Sequence, residues 1–181
     1  MQVDFLNIVL SACQNVILTM ADLHVLASRP ELRKANDPEI GSTTTGIICM
    51  RGNHRCASIA IVFTSTVLEN IALRMMPDEA PKNEFLAIDL VCEISNMIIG
   101  GAKTQLIKQG YKFEITLPTV MRGHDYLVAH QTKAPIIRIP VKSDAGQFYI
   151  EASFEGPPLS DKEKESILDK ADYRDDEIEL F

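Results

Sequence analysis

The sequence predicts an α+β domain: a mostly antiparallel sheet packed by two long helices. Three observations carry this. Apolar residues recur at helical spacing over residues 4–26 and again over 84–108. Two pairs of strand-like runs flank short turn signals, as hairpins do. The order is helix, hairpin, short helix, long helix, then about four strands, an arrangement that layers helices on an antiparallel sheet. At 181 residues the chain suits a single domain that buries a core without metal or disulfide staples.

In the first helix Phe5, Ile8, Val9, Ala12, Val16 and Met20 form the apolar face. Asp4-x-x-Asn7 places an acid and an amide at i and i+3, but at a fraying N-terminus, where capping is the expected role. Pro30, Asn36-Asp37-Pro38 and Gly41 mark a surface connection. GIICMR (46–51) and RCASIAIVF (55–63) then read as a hairpin closed by Gly52-Asn53. In that register Ile48 faces Ala57 and Cys49 faces Cys56, with Cα atoms about 5.5 Å apart. We read the cysteine pair as two packed thiols rather than a redox disulfide. Thr64 or Ser65 caps a short helix that runs to Met76 and stops at Pro77. Asn83 is a possible cap and Gly110 the terminator of the long helix. YKFEITL (111–117) alternates Phe113, Ile115 and Leu117 inward until Pro118 interrupts it, and HDYLVAH (124–130) is a further strand candidate. IIRIPV (136–141) and QFYIEASF (147–154) make the last hairpin around residues 143–146, with Phe148, Ile150, Ala152 and Phe154 on one face. "Long helix followed by strands" occurs twice, the pattern an ancient duplication leaves.

The domain is expected over 1–156 and a charged tail over 157–181, where nine acids and four bases concentrate five of the chain's seven net negative charges. The tail is either a solvated appendage or an arm that docks or clasps a dimer. A net charge of −7 with no basic patch argues against nucleic acid. The longest apolar run, Cys56–Leu68, is too short to span a bilayer, and the N-terminus lacks the basic region of a signal peptide. Four cysteines without CxxC spacing fit a reducing cytoplasm. His24, His54, His124 and His130 show no metal-ligand spacing, and His124 and His130 read as surface residues on one side of a strand. Ser95 and Cys92 have no recognisable base partner.

The long helix holds the chemistry. Leu86, Leu90, Ile94, Met97 and Gly101 fall within about 80° at about 100° per residue and form an apolar stripe. Ile88, Ile99 and Leu106 lie roughly opposite. Between them runs a polar strip of Asp89, Glu93, Asn96 and Lys103, with Gly100 in its middle. Gly101 falls on the stripe, where close helix packing accounts for it. Asn costs a helix interior about 0.7 kcal/mol against Ala and Gly about 1, so the strip tolerates poor helix formers. Glu93 and Asn96, at i and i+3, share a face. Spacing alone favours a solvated strip over a site.

The run EISNMIIGGAKTQLIKQGYKFEITLPTVMRGHDYLVAH (93–130) resembles the chemotaxis phosphatases of the CheX/CheC/FliY group, and CheX most. The resemblance lies in Glu93-x-x-Asn96, in Asn96-x-x-x-Gly-Gly-Ala-Lys103, in Gly110-Tyr-x-Phe113, in Leu117-Pro-Thr-Val120 and in Gly123-His124. It implies a two-layer, pseudo-duplicated fold and hydrolysis of the aspartyl-phosphate of a CheY-type response regulator. Asn96 would orient the attacking water and Glu93 would pair with the regulator's lysine, while Asp89, Gly100 and Lys103 would border the partner. The protein would bring no cofactor, the regulator supplying Mg2+. A homodimer formed by exchanging sheet edges is implied as well. CheC and FliY carry the acid–amide motif on both long helices. Here the matching stretch Ser11–Ile17 has Ala12-Cys13-Gln14-Asn15 and no glutamate, so a single CheX-like site is expected. The rival reading from another class is a non-catalytic switch component that docks a receiver without hydrolysing it.

Overall fold

The computed structural model describes residues 2–33, 41–52, 54–77 and 84–157. Helix α1 (Gln2–Ala21) buries Phe5, Ile8, Val9, Ala12 and Val16 as expected, together with Leu6, Cys13 and Ile17. It ends at Ala21 rather than near residue 26. Asp22 adopts φ 47° and its N–H donates to the Leu18 carbonyl at 3.0 Å. A short polar side chain tolerates that left-handed conformation, so the chain leaves the helix there, and Leu23 and Val25 enter the core from an irregular segment. Asp4 lies inside the first turn, where its charge suits the helix dipole, and is not the cap.

The connection after α1 contains two short strands, β1 (Leu26–Ala27) and β2 (Glu31–Leu32). The sheet continues with β3 (Ser42–Gly52), β4 (Arg55–Thr64), β5 (Glu114–Ile115), β6 (Thr119–His124), β7 (Ile137–Ser143) and β8 (Gly146–Glu155). Its order is β1-β7-β8-β4-β3-β5, with β2 also against β7 and β6 against β3, and every pairing is antiparallel. The α+β expectation holds.

The first hairpin pairs in a register two residues away from the expected one. Gly52 pairs with Arg55, so Ile48 faces Ile59 and Cys49 faces Ser58, not Cys56. His54, with φ 62°, belongs to the turn; Asn53 lies outside the described residues. Gly52 serves another purpose: a Cβ on it would collide with the carbonyl of Lys112. A shift of two preserves the facing of every side chain, so Ile59, Ile61 and Phe63 still point into the core.

The outer edge also departs from expectation. Thr116 donates its N–H to Cys49 O at 2.9 Å, and its hydroxyl accepts from Cys49 N at 3.1 Å. The chain then bulges at Leu117-Pro118, because proline has no N–H for the ladder, and re-pairs with β3 as β6. Leu117 is thereby turned out, 86% exposed, instead of inward. HDYLVAH forms no strand beyond His124. Tyr126, Val128 and His130 alternate as a strand would, yet they are anchored by side chains on the back of the sheet: Tyr126 Oη lies 2.6 Å from Thr45 Oγ1, and the His130 side chain is buried. The last hairpin is as read, with Phe148, Ile150, Ala152 and Phe154 all buried.

Helix α2 (Ser65–Met75) is capped by Thr64, whose hydroxyl accepts from Val67 N at 3.4 Å. Helix α3 (Glu84–Lys108) ends in a Schellman motif: Gly110 takes φ 87°, its N–H reaches Ile107 O, and Tyr111 N reaches Leu106 O, both at 2.9 Å. The Asn83 cap and the tail beyond Pro157 lie outside the described residues. By length and composition, α1 and α3 would each suffice to cross a membrane. Here both lay an apolar face on the same side of the sheet, and that layer holds the main core.

The other sheet face carries a buried polar cluster that the sequence did not announce. Glu151, wholly buried on β8, receives Arg33 Nη1 at 3.1 Å and Arg138 Nε at 2.8 Å. His130 Nε2 lies 3.1 Å from Glu151 Oε2, and its Nδ1 lies 3.0 Å from Ser58 Oγ. Burial pushes the Glu151 carboxyl up, but the His130 hydrogen bond and the Arg138 and Arg33 charges outweigh it and hold it below the ordinary range. Ser153 Oγ donates to Ala134 O at 2.9 Å and helps tie the segment down.

Candidate functional site

The polar strip of α3 faces away from the sheet. The buried side of the helix is one broad arc comprising Leu90, Val91, Ile94, Ser95, Ile98, Ile99, Ala102 and Leu106. Asp89, Glu93, Asn96, Gly100 and Lys103 occupy an arc of about 80° on the other side. Asp89, Glu93 and Asn96 are exposed, whereas Gly100 and Lys103 are half-buried. Among the described residues, no hydrogen bond or ion pair engages the side chain of Glu93 or of Asn96. Both side chains are held only by the rigid helix beneath them, about one turn apart.

The apolar stripe is rotated from its expected position. Met97 is 38% exposed beside Asn96, and Gly101 is exposed at the rim of the α1 contact. A Cβ on Gly101 would meet Ala12 Cβ at an ordinary 3.5 Å, so packing does not demand a glycine there. The seat of the helix is Ile98 and its neighbours, because the sheet covers α3 from one side and α1 from the next. Gly100 faces open space, with nothing within 4 Å of where its Cβ would be. A mid-helix glycine that no internal contact requires leaves clearance above the strip.

The first helix offers no second acid–amide pair in the matching stretch; Asp4-x-x-Asn7 has the spacing but starts within the first turn of α1. Gln14 turns its amide to the Val25 carbonyl at 3.3 Å, Cys13 is fully buried, and Asn15 is exposed without an acid one turn before it. Burial pushes the Cys13 thiol up to about 12 and raises the Cys56 thiol as well, the opposite of what an activated nucleophile needs. Ser58, His130 and Glu151 stand at distances a nucleophile–base–acid relay would show. All three side chains are nevertheless sealed, and the carboxylate is committed to two arginines, so their role is structural. His124 is exposed, and only His130 of that pair turns inward. Among the described residues no group of His, Cys, Asp and Glu is gathered as a metal ion would need.

A family profile described as chemotaxis phosphatase CheX matches residues 44–142, which include the strip. Among solved structures, a CheC-like superfamily protein from Shewanella sp. PV-4 is 35% identical. It aligns over 86% of this chain and 100% of its own, with a TM-score of 0.77. Chemotaxis protein CheX from Vibrio vulnificus is 32% identical over 84% of this chain and 99% of its own, with a TM-score of 0.75. At 18% identity the fold is shared with CheX of Borrelia burgdorferi in a CheX–CheY–BeF3–Mg2+ complex, over 83% of this chain and 97% of that one, TM-score 0.67. No curated protein sequence matches the chain.

Proposed function

The chain belongs to the CheX family of chemotaxis phosphatases, and from that premise we propose that it hydrolyses the aspartyl-phosphate of a CheY-type receiver, with Asn96 and Glu93 as the working pair. The observation that carries the reading is their shared placement: an acid and an amide one turn apart, exposed, unengaged, and beside an open glycine. Phosphoryl transfer passes through a loose transition state, so positioning and charge stabilisation do most of the work. Asn96 offers both a donor and an acceptor and holds a water in line with phosphorus. Glu93 pairs with the receiver's lysine and fixes the register. Asp89 and Lys103 border the docked partner, and Gly100 admits it. The receiver supplies the acyl phosphate and its Mg2+, and the protein adds no cofactor of its own. A fold neighbour that was crystallised with CheY supports a CheY-like receiver as the partner.

The reading is tested by phosphate release from a phosphorylated receiver, with and without the protein. Glu93→Ala is expected to weaken receiver binding about tenfold or more, since a hydrogen bond to a charged group is worth about 1.5–3 kcal/mol. Unchanged affinity by titration calorimetry would remove Glu93 from the interface.

We also read the protein as a cytoplasmic homodimer joined through sheet edges. The exposed leucines at the β1/β2 edge support this: Leu26 and Leu32 are 72% and 71% exposed there. Light scattering should give twice the chain mass; a monomer at micromolar concentration would overturn the dimer.

A further inference from the structure

Ser95 stands between Glu93 and Asn96 in the sequence but points the other way, into the sheet. It is 1% exposed, and among the described residues its hydroxyl has no hydrogen-bond partner. Directly beneath it is Gly46 of β3, which pairs with Ile61 on one side and Val120 on the other. A Cβ on Gly46 would overlap Ser95 Oγ and come within 3.1 Å of Ser95 Cβ and of Val91 Cγ1. The helix therefore rests on bare strand backbone at the level of the acid–amide pair. Neither residue is what stability alone would select. A glycine weakens a strand interior, and a buried hydroxyl without a partner is unfavourable.

We propose that Gly46 and Ser95 form a seating notch that sets how deep α3 lies on the sheet and so places Asn96. Both are positioning residues, since neither reaches the strip. The inference rests on the phosphatase reading for its consequence in turnover, while the notch itself is read from stability. Gly46→Ala fills the notch and lifts or slides α3. Ser95→Ala removes the one atom that the new methyl would overlap, leaving contacts near 3.1 Å that need to give by only a few tenths of an ångström.

The test compares wild type, Gly46→Ala, Ser95→Ala, the double variant and Asn96→Ala. Thermal midpoint, kcat and KM are measured on one phosphorylated receiver. Gly46→Ala should lose turnover by about a hundredfold, as a misplacement of about 1 Å can cause, with KM changed far less. Ser95→Ala alone should cost only a few-fold. The double variant should recover to near Ser95→Ala in both turnover and midpoint, a non-additivity that contacting residues show and distant ones do not. A folded Gly46→Ala with wild-type turnover would overturn the proposal, as would a double variant no better than Gly46→Ala. If Gly46→Ala does not fold, recovery of folding in the double variant supports the notch, and failure to recover contradicts it. If Asn96→Ala turns over like wild type, it is the phosphatase reading that falls, and the thermal midpoints alone then decide the notch.

Discussion

Asn96→Ala should lose receiver dephosphorylation by about 10²–10³-fold while still binding the receiver held in its phosphorylated form by beryllium fluoride. Removing one preorganised hydrogen-bonding group from a transition state typically costs that much. Asn96 is exposed, and its side chain is unengaged among the described residues, so its removal leaves folding intact, and helix propensity even favours alanine. The loss should therefore fall on kcat, with KM and the thermal midpoint close to wild type. Asn96→Asp tests the same point from the other side. The aspartate keeps the shape but loses the donors and adds a negative charge opposite a phosphoryl group, so it should do no better than alanine.

The second large effect lies far from the strip. Glu151→Ala should destabilise the domain by about 3–5 kcal/mol, because it removes the buried carboxylate that Arg33, Arg138 and His130 share. For a domain of this size that corresponds to a drop of roughly 10 °C in thermal midpoint. The same cluster sets an acid limit. Glu151 is held below the ordinary carboxylate value, so its contribution is fully present above the unfolded-state value of about 4.3 and is lost as pH falls below that through the folded one. Acid unfolding should therefore steepen below about pH 4.3 in wild type and lose that component in Glu151→Gln. A wild-type midpoint in Glu151→Ala would show that the cluster carries no net stability.

Where a pattern repeated within one element, the sequence disclosed it. The apolar face of α1, the inward set Phe148, Ile150, Ala152 and Phe154, the Thr64 cap and the Gly110 terminator all follow from local spacing and are found in place. Where two local solutions competed, it did not. The first hairpin offered Gly52-Asn53 as a tight turn, but the approach of Lys112, sixty residues on, claimed Gly52 for clearance and moved the turn on. Met97 read as core because the helix was treated alone; α1 and the sheet fix the true arc. The cluster around Glu151 draws on Arg33, Ser58, His130 and Arg138, and no window of sequence joins them. The strip was visible as a polar seam, and its roles came from resemblance. Ser95 has no base partner nearby in sequence, and its contact with Gly46 exists only in the fold.

One measurement bears most directly on the central claim: phosphate release from each phosphorylated receiver of the same cell, alone, with the protein, and with Asn96→Ala. Acceleration of at least one receiver by the wild type, largely absent with Asn96→Ala, is the expected result. If no receiver is accelerated although one is bound, the chain is a docking module on a phosphatase fold. If Asn96→Ala accelerates as well as the wild type, the strip on α3 is not the site.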